Sequence, residues 1–224
     1  LGIMLCIASN LQQLGITNGD SVGKAGFITS VYIMLVPVVG LFFKKKTHPL
    51  IWLCAVVSAV GLYFLSVDPA RGAFNIEFSD LAYLGCAVFF AVQIILVSIY
   101  SPQVNCIALS CIQFAVAAVF SGIGMLFFET PSFAAILNAA GPLLYAGILS
   151  CGIAYTLQVI GQRGIDPAIA SLIMCLESVF SVIAGFLLLN QRMTPREILG
   201  CGIMFAATVA AQLIPSTQKK NSRN

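Results

Sequence analysis

Apolar residues fill eight long segments of the chain, and short polar connectors separate these segments. A helix needs about 20 mainly apolar residues to cross a bilayer, so each segment predicts a transmembrane helix. The predicted segments cover residues 1–17, 25–43, 50–67, 79–100, 104–127, 143–162, 168–189 and 197–214. The connectors carry the Gly, Pro, Asn and Asp residues that are typical where a chain leaves a helix. The pattern predicts an all-α, polytopic membrane protein.

The composition agrees with this prediction and excludes several functions. Hydrophobic residues make up 59% of the chain and charged residues only 8%, whereas a soluble domain has about a quarter charged residues. The net charge of +3 is concentrated in connectors, so it does not indicate a nucleic-acid partner. The sequence contains no phosphate-binding loop, no GxSxG nucleophile elbow and no HExxH zinc-protease motif. We interpret the eight cysteines as small buried hydrophobes. We therefore expect no cofactor, no metal site and no enzymatic activity.

A duplication relates the first three segments to the last three. "IASNLQQLGI" at 7–16 aligns with "IAYTLQVIGQ" at 153–162, which places Gln12 on Gln158, and in the next segment Tyr32 falls opposite Glu177. Segments four and five have no counterpart, so a complete repeat would hold five helices. An odd number of helices inverts the second copy, which is the plan of many secondary transporters. We expect eight helices of a probable ten, with two more ahead of Leu1.

The repeat and the connector charges predict an organisation in the membrane. We expect an incomplete N-terminal repeat at 1–67, a five-helix C-terminal repeat at 79–214 and a tail at 215–224. Lys and Arg are more numerous in the connectors on the side of the carboxyl end, which the positive-inside rule assigns to the cytoplasm. The expected location is the plasma (inner) membrane of a bacterium, with the C-terminus cytoplasmic.

Glu177 is the only carboxylate in the interior of a predicted segment. A charge near the bilayer centre costs about 2.5 to 3.5 kcal/mol on insertion scales, so such a group is functional, paired or protonated. The predicted segments contain no Lys or Arg that could pair with it. Glu177 is therefore our candidate for coupling transport to protons. The alternative is a hydrogen bond to a neighbouring helix that stabilises packing.

Other polar side chains in the segments are candidates for lining a pathway. An unpaired amide in hydrocarbon is costly, so these side chains should face the interior of the helix bundle. The full set of candidate pathway residues is Asn10, Gln12, Tyr32, Gln93, Gln113, Tyr155, Gln158 and Glu177. Hydrogen bonding between helices is the alternative role for each of them. Without intramembrane Lys or Arg, the set favours a neutral or zwitterionic solute over a phosphorylated one.

Several stretches of the chain, such as "LAYLGCAVFFAVQIILVSIY" and "IDPAIASLIMCLESVFSVIAGFLLLNQRMTP", resemble the EamA-type transporters of the drug/metabolite transporter (DMT) superfamily. The resemblance covers essentially the whole chain and is most specific at 177–180, where the family pattern is Glu-Pro-Val-Phe. Ser178 replaces the proline of that pattern, and Asn190 with Gln191 replaces a following Gly-Glu. The resemblance implies ten helices in two inverted repeats, a central pathway and movement of small metabolites, often as export.

These observations lead to two functional hypotheses. The first is a secondary transporter, a permease that exports a small amino-acid-like or drug-like metabolite and is either proton-coupled or facilitative. Its expected partners are the solute, protons, the lipid bilayer and a second copy of the chain in a homodimer. The alternative is a non-transporting membrane scaffold or receptor subunit.

Overall fold

The computed structural model describes residues 1–18, 22–44, 47–66, 78–128, 132–189 and 194–214, and every regular element in these ranges is a helix. The elements in chain order are α1 Gly2–Asn18, α2 Val22–Ser30, α3 Tyr32–Phe42, α4 Pro49–Ser66, α5 Phe78–Tyr100, α6 Cys106–Phe128, α7 Phe133–Asn138, α8 Ala140–Leu144, a π-helical segment Tyr145–Tyr155, α9 Thr156–Gly161, α10 Pro167–Leu189 and α11 Pro195–Leu213. The tail predicted at 215–224 lies outside the described residues, as do Asn190 and Gln191.

Each predicted segment is helical, and its ends agree with the structure to within three residues. The second segment consists of α2 and α3, which a single turn residue, Val31, separates. The sixth is composite, because α8, the π-helical segment and α9 follow one another without a break. The short helix α7 lies in a stretch that the hydropathy pattern assigns to a connector.

Five helices of the described part are long and apolar enough to cross a membrane. They are Ala25–Phe42, Phe78–Tyr100, Cys106–Phe128, Ala140–Gly161 and Pro195–Leu213, and two shorter apolar helices cover Pro49–Leu65 and Pro167–Phe180. The first predicted segment forms the 17-residue helix α1, which belongs to neither group. The predicted fold class, an all-α membrane protein, is confirmed.

Helices α4 and α11 run antiparallel and approach so closely that their backbones touch. A Cβ atom built on Gly200 would lie 2.6 Å from the carbonyl oxygen of Gly61 and 2.9 Å from the backbone nitrogen of Leu65. At the start of α11, the side chain of Thr194 accepts a hydrogen bond from the backbone of Glu197, whose carboxylate accepts one in return. This capping box fixes the helix start beside α4.

The main apolar core lies where α3, α4, α5, α10 and α11 meet. Its fully buried side chains include Ile33, Leu62, Ile95, Leu172 and Met204, one from each of these helices. Helices α3 and α10 both contribute to this core, and a hydrogen bond from Cys175 to the carbonyl oxygen of Ser30 brings the middle of α10 against the residues just before α3.

Helix α1 packs against both α5 and α6. Gly15 lies against the ring of Tyr83 on α5, and a Cβ atom there would come within 2.5 Å of that ring. At the other end of α1, Gly2 lies equally close to Val116 on α6. These two glycines let α1 sit deep between its neighbours, and a side chain at either position would force them apart.

Candidate functional site

Three of the predicted pathway residues come together between different helices. Tyr32 begins α3 and is buried, Tyr155 ends the π-helical segment, and Glu177 lies in the middle of α10. Glu177 lies near enough to both tyrosines for a charge on its carboxyl group to act on their phenol groups. A carboxylate accepts hydrogen bonds, and a phenol can donate or accept them, so the cluster offers complementary groups for one polar solute.

The side chain of Glu177 is accessible, whereas that of Cys175, two positions earlier on α10, is buried. Tyr155 is half-buried and packs edge to face on Phe114 of α6, with ring centroids 6.0 Å apart. The carboxylate is thus reachable, while the groups that face it are held by packing. A group that contacts a ligand is expected to be accessible in this way and to be surrounded by side chains that packing holds in place.

Cys175 is a member of the cluster that the sequence did not single out. Its side chain is 1% exposed, and its Sγ donates a hydrogen bond to the carbonyl oxygen of Ser30 at 3.9 Å. The thiol also lies beside the side chains of Tyr32 and Ser30. The signal that could have revealed it is the repeat register, since Ser30 and Cys175 occupy equivalent positions two residues before Tyr32 and Glu177.

The repeat-equivalent amides Gln12 and Gln158 are both half-buried, on α1 and α9 respectively. Neither side chain is fully enclosed, so each remains accessible to a ligand or to a neighbouring chain.

Gln93 and Gln113 are almost completely buried, each with 1% of its surface exposed. Neither the amide nitrogen nor the amide oxygen of either residue has a hydrogen-bond partner in the described part of the chain. The hydroxyl of Ser110, one turn before Gln113 on α6, is also buried and lacks a hydrogen-bond partner in these ranges. A buried polar group that lacks a partner costs about 1–3 kcal/mol, so these positions are costly for stability.

Asn10, in contrast to these buried amides, has hydrogen-bond partners. Its side-chain nitrogen donates to the hydroxyl of Ser121 on α6 at 3.0 Å and to the carbonyl oxygen of Cys6 at 2.8 Å. Asn10 therefore links α1 to α6, which is the helix-linking role left open for every polar residue in the segments.

The chemistry of the site is that of hydrogen bonding and charge. Within the described ranges, no group of three or more His, Cys, Asp or Glu side chains is arranged to hold a metal ion. All eight cysteines are free thiols. The groups that converge at Glu177 can bind and orient a polar solute.

The chain is similar to known proteins in both sequence and fold. Residues 77–211 match the model of the EamA-like transporter family, and this range contains Tyr155 and Glu177. An uncharacterized transporter of Archaeoglobus fulgidus is 28% identical over 215 residues, which cover 95% of this chain and 67% of the relative. A protein with a solved crystal structure shares the fold, with a TM-score of 0.76 and 17% identity over 96% of this chain and 75% of that chain.

Proposed function

The chain belongs to the EamA-like transporter family and is an integral membrane protein, and we propose that it is a secondary transporter for a small neutral or zwitterionic organic solute. The observation that carries this proposal is the convergence of Tyr32, Tyr155 and Glu177 from three separate helical segments. Transport needs polar groups within the membrane that several helices share, because relative movement of those helices then exposes the solute to either side.

The chemistry of the cluster favours an amino-acid-like or drug-like solute. The carboxylate of Glu177 can accept hydrogen bonds from an ammonium group, and the phenols of Tyr32 and Tyr155 can donate to a carboxylate or carbonyl group. The predicted segments carry no Lys or Arg, and a phosphorylated solute would need such compensating charge.

Glu177 is our candidate for coupling solute movement to protons. A carboxyl group within a membrane can bind a proton on one side and release it on the other, and such groups form proton relays in transporters. In the proposed cycle, solute and proton compete for Glu177, so a proton entering the cell drives the solute out. We therefore propose export as the direction of transport.

In this proposal the helices form two inverted repeats, at 1–67 and 79–214, and the C-terminus lies in the cytoplasm of a bacterial cell. The close contact of α4 with α11 supports this arrangement, because these helices are the last of each repeat and meet as an antiparallel pair. The first repeat contributes Tyr32 and the second Glu177, so the solute site lies between them.

The test is solute flux in proteoliposomes that contain the purified chain. Vesicles with an imposed pH gradient are supplied with radiolabelled neutral amino acids and small amines, and solute movement is compared with that in empty vesicles. We expect gradient-dependent flux that Glu177→Gln lowers about tenfold or more, since a hydrogen bond to a charged group is worth about 1.5–3 kcal/mol. Glu197→Gln, at the start of α11, is the matched control and should keep the flux.

Two results would count against the proposal. Unchanged flux and unchanged gradient dependence in Glu177→Gln would remove this residue from coupling. If the wild-type chain moves no solute of the panel while remaining monodisperse in detergent, the non-transporting scaffold or receptor subunit becomes the better interpretation.

A further inference from the structure

Phe114 on α6 supports Tyr155 from outside the set of candidate pathway residues. The two rings meet edge to face, with centroids 6.0 Å apart and ring planes at 82° to each other. Aromatic pairs prefer this geometry, because the positive edge of one ring meets the negative face of the other. The contact therefore restrains the plane of the Tyr155 ring, and with it the direction in which the phenol oxygen points.

Tyr155 lies at the edge of the packed part of its segment, so this contact is important for its orientation. It is the last residue of the π-helical segment, and residues 145–154 before it are all exposed. One turn further on, Val159 is 1% exposed and belongs to a buried cluster with Val97 and Cys106. Phe114 thus holds Tyr155 at the point where the exposed segment first meets the rest of the bundle.

The backbone that carries Phe114 is itself held by a neighbouring helix. Gln113, the preceding residue, is 1% exposed. Its carbonyl oxygen lies so close to Gly2 of α1 that a Cβ atom on Gly2 would be 2.8 Å away. Close packing of this kind leaves the backbone little freedom to shift. The contact between α1 and α6 therefore fixes the position from which Phe114 reaches Tyr155.

We propose that Phe114 is a positioning residue that aims the phenol group of Tyr155 at the carboxylate of the solute. This inference rests on the proposed transporter function, in which Glu177 accepts from an ammonium group and Tyr155 donates to a carboxylate. Glu177 is carried by α10, which is held by the main core, so its contact with the ammonium group does not depend on Phe114. Phe114 therefore determines how well a solute with a carboxylate is bound relative to an amine that lacks one.

The size of the effect follows from the stability of the ring pair. An edge-to-face pair contributes a factor of about 2 to 12 to an equilibrium. Without it, the fraction of Tyr155 side chains in the binding orientation falls by up to this factor, and the apparent affinity falls with that fraction. Phe114→Leu should therefore raise the half-saturating concentration of an amino acid about 2- to 12-fold and leave that of the matching amine unchanged.

The measurement is solute flux in proteoliposomes with an imposed pH gradient. The neutral amino acid that the wild-type chain moves fastest is compared with the amine that lacks its carboxyl group, which for leucine is 3-methylbutylamine. The half-saturating concentration is determined for each solute. A general structural defect affects both solutes alike, so the ratio of the two concentrations reports on the carboxylate contact alone.

Further variants test whether Phe114 acts through Tyr155. Tyr155→Phe removes the phenol oxygen and should raise the half-saturating concentration of the amino acid about tenfold or more. Adding Phe114→Leu to this variant should change the ratio no further, because the group that Phe114 aims is gone. Phe114→Tyr keeps an aromatic ring and should retain the wild-type ratio. Phe120→Leu is the matched control on α6, at a position that is 50% exposed, and should also retain it.

The inference is overturned if Phe114→Leu changes the half-saturating concentrations of amino acid and amine by the same factor, or changes neither. It is also overturned if the wild-type chain moves amines but no amino acid. Each of these results leaves transport itself established. A wild-type chain that moves neither kind of solute instead rejects the transporter function, so the two failures are distinguishable.

Discussion

The contact of α4 with α11 predicts that Gly200→Ala destabilises the protein. The added Cβ atom would lie 2.6 Å from the carbonyl oxygen of Gly61 and 2.9 Å from the nitrogen of Leu65. Both atoms belong to the backbone, so neither can turn aside as the end of a long side chain could. The two helices must separate along their contact, and the packing of Met204 against Gly61 is lost with it.

The size of the effect follows from two opposing terms. Overpacking a tight contact costs about 1–3 kcal/mol, and replacing a helical glycine by alanine returns about 0.5–1 kcal/mol. With the middle value of each range the net loss is about 1 kcal/mol, which corresponds to a fall in Tm of about 2–4 °C for a chain of this size. The single tryptophan, Trp52, lies on α4 and gives a fluorescence signal for the unfolding of this helix.

The assay is thermal unfolding of the purified chain in detergent, followed by the fluorescence of Trp52. Gly202→Ala is the matched control, because it lies on the same helix with no atom within 4 Å of its added Cβ. This variant should keep or raise the Tm, since only the helix-propensity gain applies to it. The reasoning is refuted if Gly200→Ala melts at or above the temperature of Gly202→Ala.

Two further predictions concern the start of α11. Thr194→Ala removes the acceptor for the backbone of Glu197 and should cost about 1 kcal/mol, measured as a lower Tm and as faster hydrogen exchange in the first turn of α11. Arg196→Met removes a cation that lies 5.3 Å from the ring centroid of Tyr63 and 5.4 Å from that of Phe64. It should cost about 0.5–2 kcal/mol in the same assay, and an unchanged Tm would show that the cation–π contacts contribute nothing.

Helix positions could be predicted closely because bilayer thickness sets the length of each apolar segment. The segment predicted at 168–189 is Pro167–Leu189 in the structure, and that at 79–100 is Phe78–Tyr100. Hydropathy depends on composition and carries no information on hydrogen-bond register, so it could not indicate the π-helical segment Tyr145–Tyr155. The capping box at Thr194 was visible as a Thr-Pro-Arg-Glu sequence, but a count of apolar residues does not detect it.

The sequence indicated candidate residues for the site, but it did not indicate which of them contact each other. The repeat register aligned Tyr32 with Glu177, yet equivalence in sequence does not imply proximity, which depends on the packing of α3 against α10. The bond from Asn10 to Ser121 joins residues 111 positions apart, and no periodicity within one helix can pair them. Polar character singled out the candidate side chains, whereas helix packing decided which of them are enclosed and which of them meet.

Gln93 offers a test of whether a buried amide is retained for function. It is 1% exposed, and neither of its amide atoms has a hydrogen-bond partner in the described ranges. Replacing it by methionine, which has a similar shape, removes an unsatisfied polar group that costs about 1–3 kcal/mol. We therefore expect Gln93→Met to raise the Tm.

The same substitution should lower solute flux if the amide contacts the solute or its pathway, since a stabilised protein would then have lost a functional group. Thermal unfolding and proteoliposome flux, measured on one preparation, separate the two effects. Asn10→Leu is the contrasting variant, because its amide is bonded to Ser121 and its loss should lower the Tm. A Gln93→Met protein that melts lower than wild type would mean that the amide is satisfied in the membrane, and the argument for a functional cost would fail.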